Sequence, residues 1–366
     1  MHNTIIEIDS KQFIKNLQTI RKQINNLKFC LPVKANAYGH GLVGMCLIAE
    51  PYIDYFAVAC LEEGQKLRQN GIVKPILVFG GFSEEEIPDL ITQNLEITIS
   101  SHYKAQLVIK YCKAKKINCK VHIKVDTGMN RIGVRLENAM KLIHEILNTK
   151  ELNLIGVYSH FASSDSIDQG FSLMQLKNFT KLVQDIKSIN PNIICHLANS
   201  GGIINYPDSY FDMVRPGILA YGYLPIQPIH NQFKEIKPCF SLKSKVIYFK
   251  VVAKNQIISY NQSYITKKDT RVVTIPIGYG DGYRRMLTNI GEVLIRGNKY
   301  KVAGIICMDM FMVDIGNSES YVGDEVILIG KQNEEEITLE SIAQKCNTII
   351  NEILVGFNER IPRVYF

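Results

Sequence analysis

The stretch LKFCLPVKANAYGHG, residues 27–41, runs from an apolar strand pattern into a lysine and then into a loop with two glycines. This stretch decides between two folds. The doubly wound dinucleotide-binding sheet carries GxGxxG after its first strand, and that fingerprint is absent here. The strand ends instead at Lys34, and we interpret Gly39 and Gly41 as clearing space beyond it. Because an ammonium at a core edge is costly unless paired or used chemically, the stretch predicts a functional strand end.

Seven further apolar runs of strand length follow, separated by amphipathic segments of helix length. The eight strand candidates are LKFCLPV (27–33), YFAVAC (55–60), PILVFG (75–80), LEITIS (95–100), KVHIKVD (120–126), NLIGVYSH (153–160), IICHLA (193–198) and FDMVRP (211–216). Most are rich in Val and Ile, which is typical of parallel strands covered on their outer face. Eight strand–helix units predict an α/β fold with a (β/α)₈ TIM-type barrel. An open doubly wound sheet is the alternative.

The composition changes after Tyr223. Residues 224–238, LPIQPIHNQFKEIKP, carry three prolines with little periodicity and are predicted to form an interdomain linker. Short, largely alternating strand patterns dominate beyond it, and a helical pattern returns near LESIAQKC (339–346). We therefore expect a barrel domain over residues 1–227 and a mostly β domain over residues 228–366.

Composition and charge exclude several classes of protein. The 366 residues are 46% hydrophobic and 21% charged, as in globular proteins. The net charge of +7 is spread along the chain without a basic stripe, so nucleic-acid binding is not expected. No apolar run could cross a bilayer, and MHNTIIEIDS lacks a signal-peptide pattern. The nine scattered cysteines include no CxxC pair, so we expect a cytoplasmic protein with reduced thiols.

Polar side chains lie at the C-terminal end of five of the eight predicted strands or in the loop after it, where a (β/α)₈ barrel places its active site. A lone histidine there is more often structural than catalytic, and a lone arginine usually forms a salt bridge. Several such groups at one mouth of a barrel instead predict an active site. They are Lys34, Tyr38, Lys124, Asp126, Arg131, His160, Asn199, Ser200 and Arg215, and Gly217 follows Arg215 in the last loop.

Two glycine-containing loops predict an anion site. NSGG (199–202) and RPGI (215–218) follow strands seven and eight, where barrels often bind phosphate with loops and a short helix N-terminus. Glycines let backbone N–H groups approach the anion, and Ser200 adds a hydroxyl. A phosphate here and an amine at Lys34 imply an aldehyde cofactor that bears a phosphate. Pyridoxal 5′-phosphate fits that description, and lysine is its anchoring residue.

Eight motifs then carry a resemblance to a known family. In chain order they are VKANAYGHG, KVDTGMNRIG, YSHFASSD, HLANSGG, VRPGILAYG, ISYNQSY, PIGYGDGY and CMDMFMVD, and RIPRVY follows near the end. Together they resemble the alanine racemases, barrel-type pyridoxal-phosphate enzymes of fold type III. The resemblance implies a two-base interconversion of L-alanine and D-alanine that supplies D-alanine for peptidoglycan.

The resemblance also assigns roles to individual residues. Lys34 would anchor the cofactor and act as the base on one face of the substrate Cα, and Tyr264 would act on the opposite face. Arg215 would face the pyridine nitrogen, and an arginine, which stays protonated, cannot readily give that nitrogen a full proton. The remaining cofactor contacts would be Tyr38, His160, Asn199, Ser200, Gly217 and Ile218.

Four residues would serve the substrate and its surroundings. Arg131 and Met308 would contact the substrate, and Asp309 would support the Met308 loop. Lys124 matches a family lysine that is often carbamylated and then holds Arg131; an unmodified Lys124 paired with Asp126 is the alternative. The family's tyrosine and CMD loop enter the partner's site, so the resemblance implies a homodimer with shared active sites.

Two departures and three alternatives accompany this resemblance. Glu359 stands where the family often has a tyrosine, and Asn130 replaces a glycine before Arg131. A racemase of another small amino acid such as serine remains open, because one methylene is worth only about 1–3 kcal/mol. A decarboxylase of the same fold would hold phosphate with three consecutive glycines, and only pairs occur here. A non-catalytic pyridoxal-phosphate carrier would resemble the barrel alone, without Tyr264 and Met308.

Overall fold

The computed structural model describes residues 3–224 and 231–366. Contacts between Cα atoms divide the chain into two compact units. We call Gln12–Ala37 with Leu42–Pro238 the barrel unit, and Met1–Lys11, Tyr38–Gly41 and Cys239–Phe366 the β unit. The predicted boundary between residues 227 and 228, with residues 225–230 of the predicted linker, lies outside the described residues. The predicted domain bounds stay a prediction.

Eight parallel strands form the core of the barrel unit. The first strand of the chain, β1 (Ile5–Ile8), belongs to the β unit. The barrel strands are β2 (Lys28–Pro32), β3 (Tyr55–Val58), β4 (Ile76–Val78), β5 (Glu96–Ile99), β6 (Cys119–Asp126), β8 (Leu152–Tyr158), β9 (Ile194–His196) and β10 (Met213–Val214), with the short β7 (Val134–Arg135) paired to β6. The predicted TIM-type fold is confirmed, and the strands fall at all eight predicted places.

Backbone hydrogen bonds bring the two ends of this sheet together. The strand order is β10-β2-β3-β4-β5-β6-β8-β9. Beside β9 and β10, the Asp212 N–H donates to Cys195 O at 3.0 Å and the Arg215 N–H donates to Ala198 O at 2.9 Å. The barrel is therefore nearly closed. The predicted six-residue strand 211–216 contains only the two-residue β10, because the chain turns away at Pro216.

Helices alternate with the barrel strands. In α7 the buried side chains Ala139, Leu142, Ile143 and Ile146 recur at the spacing of one helical face. The bounds of the helical segments are α1 (Ser10–Ile24), α2 (Lys34–Tyr38), α3 (Leu42–Ala49), α4 (Leu61–Gln69), α5 (Ile87–Thr92), α6 (His102–Lys115), α7 (Leu136–Leu147), α8 (Gly170–Ile189) and α9 (Ser200–Asn205), and α2 is a left-handed turn. Among the described residues, no helix has both the length and the apolarity needed to span a membrane.

The described residues of the β unit form two sheets and two short α-helices. One sheet joins β1 to β11 (Phe240–Lys245), β14 (Glu292–Ile295), β15 (Asn298–Lys301), β17 (Glu325–Gln332), β18 (Glu335–Ile337) and β19 (Arg363–Tyr365). The other consists of β12 (Tyr248–Val252), β13 (Thr270–Ile275) and β16 (Phe311–Gly316), and the helices are α10 (Leu339–Lys345) and α11 (Ile350–Gly356). Sequence analysis did not predict β1, which pairs antiparallel with β11 and parallel with β19.

The two glycines of the opening stretch serve the packing of the β unit. A Cβ at Gly39 would lie 2.2 Å from Leu354 O, and one at Gly41 would lie 2.1 Å from the Tyr365 hydroxyl oxygen. Their φ angles of +81° and +102° also favour glycine. This corrects the interpretation that they clear space for Lys34, because the atoms they admit belong to the C-terminal segments.

Candidate active site

A left-handed turn follows the first barrel strand. Within α2, Ala35, Asn36 and Ala37 have φ angles of 53°, 55° and 52°. A non-glycine residue in this conformation costs about 1–2 kcal/mol. Strain of this kind persists where the surroundings enforce it, and it is concentrated at functional sites. Lys34 is the first residue of this turn.

The carboxylate of Glu63 holds the turn against the end of β3. One oxygen accepts from the Ala35 N–H at 2.6 Å, and the other accepts from the Ala59 N–H at 2.7 Å. The side chain of Asn36 accepts from the Leu42 N–H at 2.7 Å. These bonds compensate the strain and fix the backbone that carries Lys34.

The amine of Lys34 is half-buried and sits in a cationic environment. Burial lowers its pKa, the Arg131 charge lowers the pKa further, and the Glu63 charge opposes both. A lysine with a lowered pKa is more often neutral, and the neutral amine is the form that attacks an aldehyde. The group therefore fits an aldehyde cofactor.

Arg215 is fixed by three acceptors. It is only 3% exposed. Nη1 donates to His196 Nδ1 at 2.7 Å, and Nη2 donates to Ser159 O at 2.7 Å and to Leu197 O at 3.0 Å. Within residues 3–224 and 231–366 its Nε–H has no acceptor, so one donor remains for a further group. Burial lowers the pKa of Arg215 to about 10, and the guanidinium is still protonated at neutral pH.

His160 and Lys124 lie beside this guanidinium. His160 Nδ1 is 3.5 Å from Arg215 Nη2, and the Lys124 Nζ lies 5.0 Å from the centroid of the Tyr158 ring. The Arg215 Cζ lies 5.3 Å from that same centroid. Burial lowers the pKa of His160 and of Lys124 well below their usual values, and the neighbouring cations act in the same direction. His160 is therefore neutral at neutral pH, and Lys124 is more often neutral than an exposed lysine.

Asp126 organises the loop that leads to Arg131. One carboxylate oxygen accepts from the Gly128 N–H at 2.8 Å and from the Asn130 N–H at 3.1 Å. Asn130 has a φ of 57°, a left-handed angle that asparagine tolerates better than most residues. In the described part of the chain Lys124 and Asp126 form no ion pair, so the alternative of a Lys124–Asp126 pair is not found.

The loops after β9 and β10 present unfilled donors. Among the described residues, the backbone N–H groups of Ser200, Gly201, Gly217 and Ile218 have no acceptor. The Ser200 hydroxyl joins the two loops because it accepts from the Leu219 N–H at 3.2 Å. Free N–H groups at the start of two turns suit an anion, so these residues fit the phosphate of the predicted cofactor.

Asn199 supports this arrangement as the N-cap of α9. Its carboxamide oxygen accepts from the Gly202 N–H at 2.9 Å and from the Ser164 hydroxyl at 2.8 Å. A Cβ at Gly201 would lie 2.5 Å from the Ser164 Oγ, so this position requires a glycine. Asn199 therefore holds the start of α9 in place.

In the β unit, the phenol of Tyr264 donates a hydrogen bond to Asp314. The distance from Tyr264 Oη to Asp314 Oδ2 is 2.7 Å. Burial and this carboxylate raise the pKa of Tyr264 to about 12, so the phenol is protonated at neutral pH. Burial likewise raises the pKa of Tyr38 to about 12. Both hydroxyls can therefore donate.

The loop that carries Met308 is held by hydrogen bonds and by Arg360. Met308 is 54% exposed, and its carbonyl accepts from the Gly280 N–H at 2.8 Å. Asp309 accepts from Arg360 Nη2 at 2.8 Å, and Arg360 Nε lies 3.2 Å from Asp281. The Met308 N–H has no acceptor among the described residues. The Asp309–Arg360 contact is consistent with the predicted support of this loop, which stays a prediction.

Comparison with known proteins identifies the family. The models "Alanine racemase, N-terminal domain" and "Alanine racemase, C-terminal domain" match residues 8–225 and 239–365. The chain is 38% identical to the alanine racemase of Carboxydothermus hydrogenoformans, over 98% of each chain. The chain belongs to the alanine racemase family. The predicted enzyme class, an amino-acid racemase and thus an isomerase, is confirmed.

Solved structures agree with this family. The alanine racemase of Clostridium difficile 630 matches with a TM-score of 0.94 and 35% identity, over 100% of this chain and 96% of that chain. The alanine racemase of Bartonella henselae, described with covalently bound pyridoxal phosphate, matches with a TM-score of 0.90 and 28% identity over the whole of both chains. The comparisons give no support to the serine-racemase or carrier alternatives.

The predicted site residues of this racemase divide between the two units. In the barrel unit, the charges of Lys34, Lys124, Arg131 and Arg215 all act on His160, which places these five residues together. Asn199, Ser200, Gly217 and Ile218 form the donor loops of the same unit. Tyr38, Tyr264, Met308 and Asp309 lie in the β unit.

Three buried polar residues behind Arg215 were missed by sequence analysis. They are Glu96, His122 and His196, which are 3%, 0% and 0% exposed. The predicted site residues of the barrel lie at or beyond the C-terminal ends of the predicted strands, whereas Glu96 begins β5, His122 lies in the middle of β6 and His196 precedes the predicted end of its strand. A polar side chain inside an otherwise apolar strand was the signal that could have identified them.

Proposed function

We propose that this racemase interconverts L-alanine and D-alanine with pyridoxal 5′-phosphate as cofactor. The observation that carries the proposal is the environment of Lys34. A strained turn holds this lysine, and burial together with the Arg131 charge lowers its pKa. An amine of this kind suits covalent attachment of an aldehyde and removal of a proton from carbon.

The chain supplies a complete set of groups for this cofactor. Lys34 would be its covalent anchor, and Arg215 Nε–H would donate to the pyridine nitrogen. The N–H groups of Ser200, Gly201, Gly217 and Ile218 would hold the phosphate, with the Tyr38 hydroxyl as a further donor. Asn199 and His160 would keep these groups in place. When bound, the cofactor supplies a conjugated ring that stabilises negative charge on the substrate Cα.

Two protein groups would move the Cα proton, one acting as a base and the other as an acid. Lys34, as a neutral amine, takes the proton on one face. Tyr264 is protonated at neutral pH and gives a proton on the other face; in the reverse direction it must first lose that proton. Its pKa of about 12 makes the loss costly, and Asp314 contributes to that cost. Arg215 stays protonated, which limits the charge that the ring can accept.

The substrate carboxylate would be bound by Arg131 and by the backbone N–H of Met308. Asp309 keeps the Met308 loop in place through Arg360. We propose that Lys124 carries a carbamate. Its neutral amine can add to carbon dioxide with formation of an N–C bond and release of one proton. The resulting anion would lie between the Arg215 and Arg131 charges, both of which act on Lys124.

The active unit would be a homodimer in the cytoplasm. Lys34 lies in the barrel unit, whereas Tyr264 and Met308 lie in the β unit. The resemblance to the family supports an arrangement in which the β unit of one subunit, residues 228–366, completes the site of its partner. The product D-alanine would supply peptidoglycan synthesis.

Exchange of the Cα proton tests the reaction. The purified holoenzyme is incubated with L-alanine or D-alanine in D₂O, and NMR follows the loss of the Cα–H signal while a chiral separation follows the enantiomer. We expect exchange from both enantiomers, conversion toward an equal mixture, and loss of both in Lys34→Ala. L-serine is the comparison substrate, and we expect the enzyme to turn it over more slowly than L-alanine. Exchange no faster than in buffer would refute the racemase.

A further inference from the structure

A line of hydrogen bonds crosses the interior of the barrel unit behind Arg215. Glu96 Oε2 lies 2.8 Å from His122 Nε2, and His122 Nδ1 lies 3.3 Å from His196 Nε2. His196 Nδ1 lies 2.7 Å from Arg215 Nη1. Glu96 is the first residue of β5, and Arg215 follows the last residue of β10, so the line leads from the start of one strand to the end of another.

The arginine fixes the order of protons along the line. A guanidinium only donates, so His196 Nδ1 must accept and its proton must lie on Nε2. That proton is donated to His122 Nδ1, so His122 carries its own proton on Nε2. The Nε2–H of His122 is then donated to Glu96. The order requires two neutral imidazoles and places an acceptor, the carboxylate, at the end away from Arg215.

Neighbouring groups preserve this geometry. A Cβ at Gly156 would lie 2.5 Å from His122 Nδ1, so this glycine makes room for the imidazole. The ring of Tyr158 stacks on His196 with a centroid distance of 4.9 Å and an interplanar angle of 12°. Burial, together with the charge of Arg215, lowers the pKa of His196 well below its usual value. The neutral imidazole that the proton order requires is therefore favoured.

Outside this line, burial lowers the pKa of Arg68 and the Glu96 charge opposes that lowering, so the Arg68 guanidinium is a nearby cation. Among the described residues Arg68 forms no ion pair with Glu96 and donates instead to backbone carbonyls. The titratable groups whose pKa responds to Glu96 include Cys30, Tyr55 and Cys119, all of which are neutral at neutral pH because burial raises their pKa.

In the described residues Glu96 has one side-chain partner, the neutral His122, from whose Nε2–H it accepts a hydrogen bond. A buried carboxylate is costly unless it is hydrogen-bonded and compensated. His122 supplies the hydrogen bond, and positive charge comes from Arg68 and, through the line, from Arg215.

We propose that Glu96, His122 and His196, which we call the inner line, are positioning residues for Arg215. The carboxylate polarises the two imidazoles and strengthens the acceptor at His196 Nδ1, which holds the guanidinium with its Nε–H toward the ring nitrogen of the cofactor. The role in catalysis rests on the proposed function, whereas the proton order does not. Glu96 contacts neither substrate nor cofactor and acts only through the two histidines.

The proton order is tested in the protein without cofactor. The chain is labelled with ¹⁵N-histidine, and the imidazole nitrogens are assigned with the aid of the variants His122→Gln and His196→Gln. We expect both rings at neutral pH to carry a single proton on Nε2. A proton on Nδ1 of either ring, or two protons on either ring, would overturn the proposal regardless of enzyme activity.

The positioning role is tested with Glu96→Gln in the holoenzyme. Glutamine keeps the shape and removes the charge, and a charged acceptor is roughly twice as strong as a neutral one, so we expect kcat to fall about tenfold. The KM for alanine should change less than about twofold, because Arg215 is proposed to face the cofactor and not the substrate. The absorption spectrum of the bound cofactor should shift, which a purely structural role would not cause.

Glu145→Gln is the matched control, since Glu145 also contacts a histidine, His102, but on the helices α6 and α7. We expect it to leave kcat, KM and the spectrum unchanged. Equal kcat in Glu96→Gln and Glu145→Gln would overturn the positioning role. If the wild-type protein does not racemise alanine, the proposed function fails while the NMR result still decides the proton order.

Discussion

The replacement Glu63→Gln tests whether one carboxylate maintains the turn that carries Lys34. Both oxygens of Glu63 are used: one by the Ala35 N–H at 2.6 Å and the other by the Ala59 N–H at 2.7 Å. A glutamine retains one carbonyl oxygen and turns its NH₂ group toward the other N–H. The variant therefore loses one of the two hydrogen bonds, and the remaining bond is to a neutral acceptor. The size of the side chain hardly changes.

The expected loss in free energy of unfolding follows from the strain of the turn and from the strength of the two hydrogen bonds. Three residues with left-handed angles, Ala35, Asn36 and Ala37, cost about 3–6 kcal/mol together at about 1–2 kcal/mol each. Two hydrogen bonds to a charged acceptor contribute about 1.5–3 kcal/mol each, a comparable sum. Because Glu63 is half-buried, we take the lower end and expect Glu63→Gln to reduce the free energy of unfolding by about 1.5 kcal/mol.

Urea unfolding and steady-state kinetics provide the measurement. Loss of the Glu63 charge also removes a group that raises the Lys34 pKa, so that pKa should fall further. We expect kcat to decrease along with stability, because the turn that carries Lys34 is less well held. Glu62→Gln is the control, since Glu62 is the exposed neighbour in the same helical turn. Equal unfolding free energies and equal kcat for the two variants would refute the reasoning.

Three further replacements or measurements test other parts of the account. Gly156→Ala should destabilise the protein by about 1–3 kcal/mol through overpacking against the inner line, whereas Gly81→Ala, which meets open space, should not; urea midpoints compare them. Asp314→Asn should lower the pKa of Tyr264, because the lost carboxylate raises it. The limb of the pH–rate profile that reports ionisation of this phenol should therefore move to lower pH, and an unmoved limb for both enantiomers would contradict this. ¹³CO₂ should give a carbamate signal in the wild type that disappears in Lys124→Ala, and identical spectra would exclude the carbamate.

The barrel could be predicted because parallel strands that are buried on both faces have a recognisable apolar sequence pattern. Their Val- and Ile-rich runs recur between helical patterns, and the chemistry-bearing residues follow them. The N-terminal strand β1 was missed because four residues of alternating pattern carry little information by themselves. Its place beside β11 and β19 depends on partners more than two hundred residues away.

The candidate site was only partly predictable for a similar reason. Lys34 and Arg215 stand directly after strands, where position alone suggests a role. Glu96 and His122 have a meaning only once the barrel brings β5 beside β6 and leaves space at Gly156. The role of Gly39 was misinterpreted because the atom it admits, Leu354 O, lies more than three hundred residues away in the chain.

The most direct test of the central claim mixes two inactive variants. Lys34→Ala and Tyr264→Ala chains with different affinity tags are produced together, and the doubly tagged dimers are isolated and assayed for alanine racemisation. If the two bases of each site come from different subunits, one site of every hybrid is intact. The hybrid should then show about half of the wild-type activity per dimer. Hybrid dimers no more active than either parent would contradict the account.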